Sequence, residues 1–342
     1  MESQIKNFTI RNGYEFTPIE NETSLKIIYD ALINDILDIT TDFNDSIIYL
    51  YYGIYYETNN KYDYAINHYK KSSDLNNNIA SLYLGCIYGN QGKLNDMIIY
   101  LTISANKGNI NAIFKLAEYF YSIKNISEME KWYEQGVELD DERCMVNLAN
   151  YYKKNNIKIA KMINLFNKAI DKKSIYAMNN LTDYYKNVGN SELMIKYLKM
   201  SAELNYLDSY VLLASHYQDI KDYENMLLWL NKAIDKGSVD AMINIGCHYR
   251  DVKNYDKMKE YFMMAYDKGD IDGFYQLIVE AETTQNIIEL KKYLIIGVNK
   301  NDQFCIDKMN AMLELLFDAN FALQCENKLN IVNKTKLLNI NI

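Results

Sequence analysis

Residues 245–269, IGCHYRDVKNYDKMKEYFMMAYDKG, restate residues 213–237, LASHYQDIKDYENMLLWLNKAIDKG, at a spacing of 32. A chain that repeats itself at a short fixed period does not build one central core. Each copy is a small supersecondary element that buries its apolar face only by stacking on the next copy. Extended in both directions, the repeat gives an anchor column of Ala65, Met97, Met129, Met162, Met194, Met226, Met258 and Leu290, with every step 32 residues except one of 33 between Met129 and Met162. Four positions on stand Tyr69, Leu101, Tyr133, Phe166, Leu198, Leu230, Phe262 and Leu294. Seven positions on stand Ser72, Ser104, Gly136, Ala169, Ser201, Ala233, Ala265 and Gly297. Offsets of 0, 4 and 7 place these side chains on one face of a helix.

A second signature precedes each anchor. It reads Leu-Gly/Ala-x-x-Tyr at Leu84-Gly85-Tyr88, Leu116-Ala117-Phe120, Leu148-Ala149-Tyr152, Leu213-Ala214-Tyr217 and Ile245-Gly246-Tyr249, with variants at Tyr52-Gly53-Tyr56 and Leu181-Thr182-Tyr185 and a degenerate copy at Leu277-Ile278-Ala281. Another small column, Ala80, Ala112, Cys144, Ala177, Ser209, Ala241, Gly273 and Cys305, lies four residues before the leucine. Small residues at fixed positions mark the places where helix axes, normally about 8–10 Å apart, come closest. Asn125, Asn190, Asp222, Asn254 and Asn286 precede the anchor helix as N-caps, and Asn76, Gly108, Asn205, Gly237, Gly269 and Asn301 follow it where a left-handed residue ends a helix, with Asp140 and Lys173 as exceptions to the residue type. Each repeat therefore reads helix, turn, helix, turn. The predicted fold is all-α, an α-α superhelical solenoid of about eight 32-residue helix-turn-helix repeats with helical caps.

Composition agrees. One proline and 13 glycines in 342 residues leave long helices unbroken. The 49% hydrophobic and 24% charged content fits a folded soluble chain, and no apolar run reaches the roughly 18–20 residues that span a bilayer, so no membrane partner is expected. The first residues show no basic segment followed by an apolar stretch, so no signal peptide is expected. A formal charge of −8 argues against a general nucleic-acid binder, which needs a basic surface. Five scattered cysteines without a CxxC suit reduced thiols in the cytoplasm. The 32 tyrosines, with abundant Asn, Ile and Lys, reflect AT-rich codons, as in the genome of an amoeba, a parasite or a large DNA virus.

The columns resemble the tetratricopeptide repeat and the related Sel1-like repeat. In Ile245-Gly246-x2-Tyr249-x8-Met258-x3-Phe262-x2-Ala265 the spacing matches those families, and Gly237-x3-Ala241 and Gly269-x3-Gly273 resemble the Sel1-like junction. The resemblance covers residues 47 to about 316. A 32-residue period, Met at the anchor and no proline after the second helix leave the choice between the two families open. The expected organisation is an N-terminal segment and capping helix over 1–46, eight repeats over 47–302, and a partial ninth repeat, C-terminal cap and tail over 303–342. Residues 22–40 are expected to form the N-terminal lid, with Leu25, Ile28, Leu32, Ile36 and Ile39 on its apolar face. Cys305, Met309 and Leu313 fit the columns of the ninth repeat, and a closing helix is expected near 320–331 ahead of a disordered tail.

No Gly-rich phosphate loop, HExxH, GxSxG or P-loop pattern appears, so neither an enzyme nor a cofactor is expected. His216 and His248 share a column, with Cys247 beside them. A metal site is conceivable, but the column otherwise holds Tyr55, Ile87, Tyr119, Tyr151 and Tyr184, and zinc wants three or four ligands, so an aromatic packing ladder is the preferred reading and no metal is expected. His68 reads as part of a partly exposed face. The methionine column, at a buried offset, reads as core.

In tetratricopeptide arrays the first helices line the concave face and ligands lie beside the Leu-Gly-x-x-Tyr signature. Carried onto this sequence, the resemblance implies a binding surface of Arg143, Asn147, Asn150, Lys153, Asn179, Asn180 and Lys186, a basic and amide-rich patch suited to a carboxylate or an acidic peptide, with Asp208, Asp240 and Asp272 on the same face toward the C-terminus. Scattered surface charge is the competing reading. The expected function is a non-enzymatic protein-protein interaction scaffold with a protein or peptide partner. The alternatives are a substrate-recruiting adaptor of a larger enzyme, such as a ubiquitin ligase complex, and a structural or virion component.

Overall fold

The computed structural model describes residues 1–37 and 43–316, and every regular element among them is a helix. The chain divides into two compact units, Met1–Gly189 and Asn190–Ile342. In the first, α1 (Glu2–Arg11) and α2 (Glu22–Ile33) precede four helix pairs: α3 (Ser46–Thr58) with α4 (Tyr62–Asp74), α5 (Asn78–Asn90) with α6 (Leu94–Asn106), α7 (Ile110–Ser122) with α8 (Ile126–Glu138), and α9 (Glu142–Asn155) with α10 (Ile159–Asp171). The unit closes with α11 (Ile175–Asn187). The second unit runs from α12 (Ser191–Glu203) through α13 (Leu207–Asp219) with α14 (Tyr223–Asp235), α15 (Val239–Asp251) with α16 (Tyr255–Asp267), and α17 (Asp272–Thr283) with α18 (Ile287–Asn299), to α19 (Gln303–Leu316). Within each unit a helix packs on its neighbours in the chain, which is the α-α repeat array that the columns predict. No helix among the described residues is long and apolar enough to cross a membrane.

The helix boundaries follow from local chemistry. The side chains of Asn125, Asn190, Asp222, Asn254 and Asn286 each accept a backbone N–H from the first turn of the helix that follows, as expected. First helices are capped the same way by Asp45, Asn77, Asn109, Asp141, Ser174 and Ser238, a column that sequence reasoning passed over. After the second helices, Asn76, Gly108, Asn205, Gly237, Gly269 and Asn301 all have positive φ, and so do the two residue-type exceptions, Asp140 at 62° and Lys173 at 66°. Geometry therefore holds the column where residue preference does not. A matching left-handed residue ends most first helices, among them Asn60, Gly92, Lys124 and Lys253. The single 33-residue step is absorbed here: α9 is one residue longer than the other first helices of its unit, and Asn156 and Lys158 both turn left-handed before α10 begins.

The two small columns are offset by eight residues across each junction between repeats, i on a second helix and i+8 on the next first helix, and the pair meets at Gly136 with Cys144, Ser201 with Ser209 and Gly297 with Cys305. Both are buried throughout. Where one partner shrinks, the other fills the space: a Cβ added to Gly136 would lie 2.8 Å from the Cβ of Cys144, and one added to Gly297 would lie 2.6 Å from that of Cys305. Ser201 and Ser209 meet at another junction and satisfy each other by a hydrogen bond. The glycine of the signature serves the contact within a repeat, since a Cβ on Gly85 would stand 2.6 Å from Leu101 Cγ. Met129, Met162, Met194, Met226 and Met258 are buried, as expected of a core column, whereas Leu290 at its end is half-buried.

The N-terminal region departs from expectation. The lid helix stops at Ile33, where Asn34 caps it and Asp35 turns left-handed, so Ile36 is exposed instead of lying on the apolar face. Ile28 and Leu32 are buried as predicted, and Ile39 lies outside the described residues. The helix α1, which buries Ile5 and Thr9, was not foreseen. At the other end Cys305 and Met309 are buried in α19, while the side chain of Leu313, the helix expected near 320–331 and the tail lie outside the described residues.

Candidate functional site

The first helices of the first unit present three surface columns, and the residues proposed from sequence fall largely on them. Asn147 and Asn180 continue the column of Tyr51 and Tyr83. Arg143 continues that of Asn111. Lys153 and Lys186 continue that of Glu57. Asn179 sits beside these columns in α11, half-buried, at the position that Val146 takes in α9.

The patch is internally bonded. Lys153 Nζ reaches from α9 to α11, where it donates to the backbone oxygen of Asn180 at 3.1 Å and to its Oδ1 at 3.0 Å, and it stands 3.7 Å from the Asp183 carboxylate. Arg143 folds back on the cap of its own helix, its Nε and Nη2 lying 3.2 and 3.0 Å from Asp141 Oδ2, and its guanidinium covers the Phe114 ring at 4.8 Å. Burial raises the Asp141 carboxyl, but Arg143 and the Cys144 N–H more than offset it and hold its pKa below the ordinary value. Asn147 and Asn180 each donate to a carbonyl one turn back, at 2.9 Å. The Asn180 side-chain oxygen is taken by Lys153. Asn150 and Asn147 line a recess of about 130 Å³ with Tyr121, Tyr133, Tyr151 and Lys154. Lys186 is exposed. The structure thus brings Arg143, Asn147, Asn150 and Lys153 together along α9 and ties Lys153 to Asn180.

On the same three columns, nearer the N-terminus, lies a piece of the chain itself. Residues 14–17, between α1 and α2, run extended over α3, α5 and α7. Thr17 N donates to Tyr51 Oη at 3.1 Å, and the same hydroxyl donates to Thr17 O at 2.7 Å, so one tyrosine satisfies both backbone groups. Glu15 N donates to Tyr83 Oη at 3.1 Å, and Asn111 Nδ2 donates to Glu15 Oε1 at 2.7 Å. The Tyr14 ring meets Tyr83 edge-on at 5.4 Å, and its phenol lies beside the Glu57 carboxylate, which accepts from Tyr69 Oη at 2.7 Å. Burial raises the Glu57 carboxyl against the opposing pull of the Tyr69 and Tyr14 hydroxyls, while burial and then Glu57 raise the Tyr14 phenol. Sequence reasoning missed this segment. Its one signal was the aromatic start, Tyr51 and Tyr83, of a column that elsewhere carries Lys115, Asn147 and Asn180.

The histidines sit among aromatic rings. His248 lies 5.2 Å from Tyr223 and 5.5 Å from Tyr249, and His216 lies 5.6 Å from Tyr217. Among the described residues no group of three or more His, Cys, Asp or Glu is placed to hold a metal. His68 is half-buried, as expected of a partly exposed face: Tyr56 stacks on it at 5.1 Å and Tyr52 meets it edge-on at 5.5 Å, and its Nδ1 is buried with no hydrogen-bond partner among the described residues. Burial, and secondly Lys71, push its pKa down to about 4. Since the unfolded chain titrates near 6.5, it takes up a proton first as pH falls, so stability is lost between about pH 6.5 and 4 and levels off below. His68→Phe is expected to flatten part of that slope. Urea midpoints at pH 7.0 and 5.5 check it, and an equal shift in both proteins would exclude His68 as the source.

No family model matches the sequence and no curated protein matches it. Solved structures similar to the chain are Sel1-like and tetratricopeptide repeat proteins. A protective antigen of uropathogenic Escherichia coli with a Sel1-like repeat fold is 17% identical over 86% of this chain, with a TM-score of 0.49, and the chain spans 64% of that structure's length. A Sel1 repeat protein from Oxalobacter formigenes is 18% identical over 63% of this chain and 98% of its own, with a TM-score of 0.40. The C-terminal part of a tetratricopeptide repeat protein from Cytophaga hutchinsonii is 15% identical over 70% of this chain and 97% of its own, with a TM-score of 0.46.

Proposed function

We propose that this chain is a non-enzymatic protein-protein interaction scaffold, working in the cytoplasm with reduced thiols, whose first-helix face holds an extended stretch of a partner protein. The observation that supports this most is the seating of residues 14–17 on the side chains of three successive first helices, two of which bond its backbone. A surface that binds main chain in this way has the chemistry of peptide recognition. One repeat further on, the same face changes character: Arg143, Asn147, Asn150, Lys153, Asn179, Asn180 and Lys186 offer cations and amides for a carboxylate-bearing peptide.

The test is an array of acidic peptides with free C-terminal carboxylates, probed with the wild-type chain and with the Lys153→Ala/Lys186→Ala variant. A charge-assisted hydrogen bond contributes about 1.5–3 kcal/mol, so peptides that bind the wild type are expected to lose at least about tenfold in affinity. Circular dichroism checks that the variant is folded. Undiminished affinity in a folded variant would remove this patch from the binding surface.

A further inference from the structure

We infer that α3, α5 and α7 form a peptide groove that residues 14–17 occupy in cis, and that it takes in trans an extended partner peptide presenting an unmodified tyrosine followed by an acidic residue. The inference rests on the scaffold reading and adds a second, chemically distinct site to it. Lys153 and Lys186 play no part in this groove, so the two tests fail independently.

Each requirement comes from a contact. The hydroxyls of Tyr51 and Tyr83 bond backbone groups of Thr17 and Glu15, which selects an extended main chain and no particular side chain there. Tyrosine is selected by the Glu57 carboxylate and the Tyr83 ring. The acidic side chain after it is selected by the Asn111 amide. A phosphorylated tyrosine would bring two further negative charges against Glu57 and be rejected. The cis occupant is also an imperfect fit, because Thr17 Oγ1 is buried with no hydrogen-bond partner among the described residues. A buried hydroxyl without a partner weakens binding, so the segment is a ligand that a better one displaces. The segment is tethered between α1 and α2, hence always at high local concentration, and it must mask the groove from weaker free peptides.

The probe is a fluorescein-labelled peptide of residues 12–20, NGYEFTPIE, titrated against the full-length chain by fluorescence anisotropy. The Tyr14→Ala/Glu15→Ala variant, whose own segment is loosened, is expected to bind it at least tenfold more tightly than the wild type. Adding Tyr83→Phe, which keeps the ring and removes the hydroxyl, is expected to reverse several-fold of that gain. The phosphotyrosine probe is expected to bind at least tenfold more weakly, and a probe with valine in place of the threonine several-fold more tightly. Glu15→Ala alone is the second variant, since this side chain is exposed and its one side-chain hydrogen bond among the described residues is to Asn111, so that its loss leaves the fold intact; a smaller gain in the same direction is expected. Equal affinity of wild type and variants, or no binding to any of them, would overturn the inference. So would wild-type dimers that dissociate on Tyr14→Ala/Glu15→Ala, because the groove would then belong to a second copy's segment.

Discussion

Gly136→Ala destabilises the first unit by about 1–3 kcal/mol, and Cys144→Ala placed beside it recovers part of the loss. A glycine within a helix replaced by alanine ordinarily gains up to about 1 kcal/mol from backbone propensity, so even in the last turn of α8 the expected sign is the opposite of the local one. The reason lies in the neighbouring helix. A Cβ at Gly136 would fall 2.8 Å from the Cβ of Cys144 and closer still to its Sγ, and Cys144 is fully buried with nowhere to move. With Cys144→Ala the sulfur is gone and the junction becomes an alanine pair, as the chain already has at Ala169 with Ala177 and at Ala233 with Ala241. Urea titration of the two single variants and the double variant gives the coupling directly, and additive effects would show that the two columns do not touch.

The periodic part of this molecule was legible because each column is one packing constraint written out again and again. Ala233 alone says little, whereas a small residue at eight equivalent positions can only be a close helix contact. The same redundancy located the caps: Asp140 and Lys173, which break the column in residue type, turn left-handed with the rest of it. What occurs once was not legible. The helix α1 and residues 14–17 have no second copy, and an extended segment held by hydroxyls has no hydrophobic period to detect. The candidate patch was half legible. Column arithmetic placed Asn147 beside Asn180 and Lys153 beside Lys186, but it could not show that Lys153 crosses to Asn180 or that Arg143 turns back onto Asp141 and Phe114. Long cationic side chains choose among nearby acceptors after the backbone is set, so their partners are a property of the packed structure.

Phe262→Ala removes the largest single share of stability from the second unit, about 3–5 kcal/mol. The ring is fully buried between α15 and α17, and a glycine of each helix abuts it: a Cβ on Gly246 would fall 2.5 Å from its Cδ1, and one on Gly273 3.1 Å from the same atom. Glycines have no side chain to relax into a void, so on those walls the cavity closes only by moving a helix, which places the loss toward the upper end of that range. Gly246→Ala therefore changes sign with its background. In the wild type its Cβ strikes the ring and costs about 1–3 kcal/mol, while in Phe262→Ala it fills part of the hole and gains the helix propensity as well. Because a repeat array is held by contacts between neighbours, the damage is local. Hydrogen exchange is expected to show lost protection in α15–α18, where Met258, Phe274, Leu277 and Leu294 share the core with Phe262, and unchanged protection in α5–α8 of the first unit. Protection lost evenly along the chain would mean that it unfolds as one body, and a Gly246→Ala effect of the same sign in both backgrounds would mean that the glycine and the ring are not in contact.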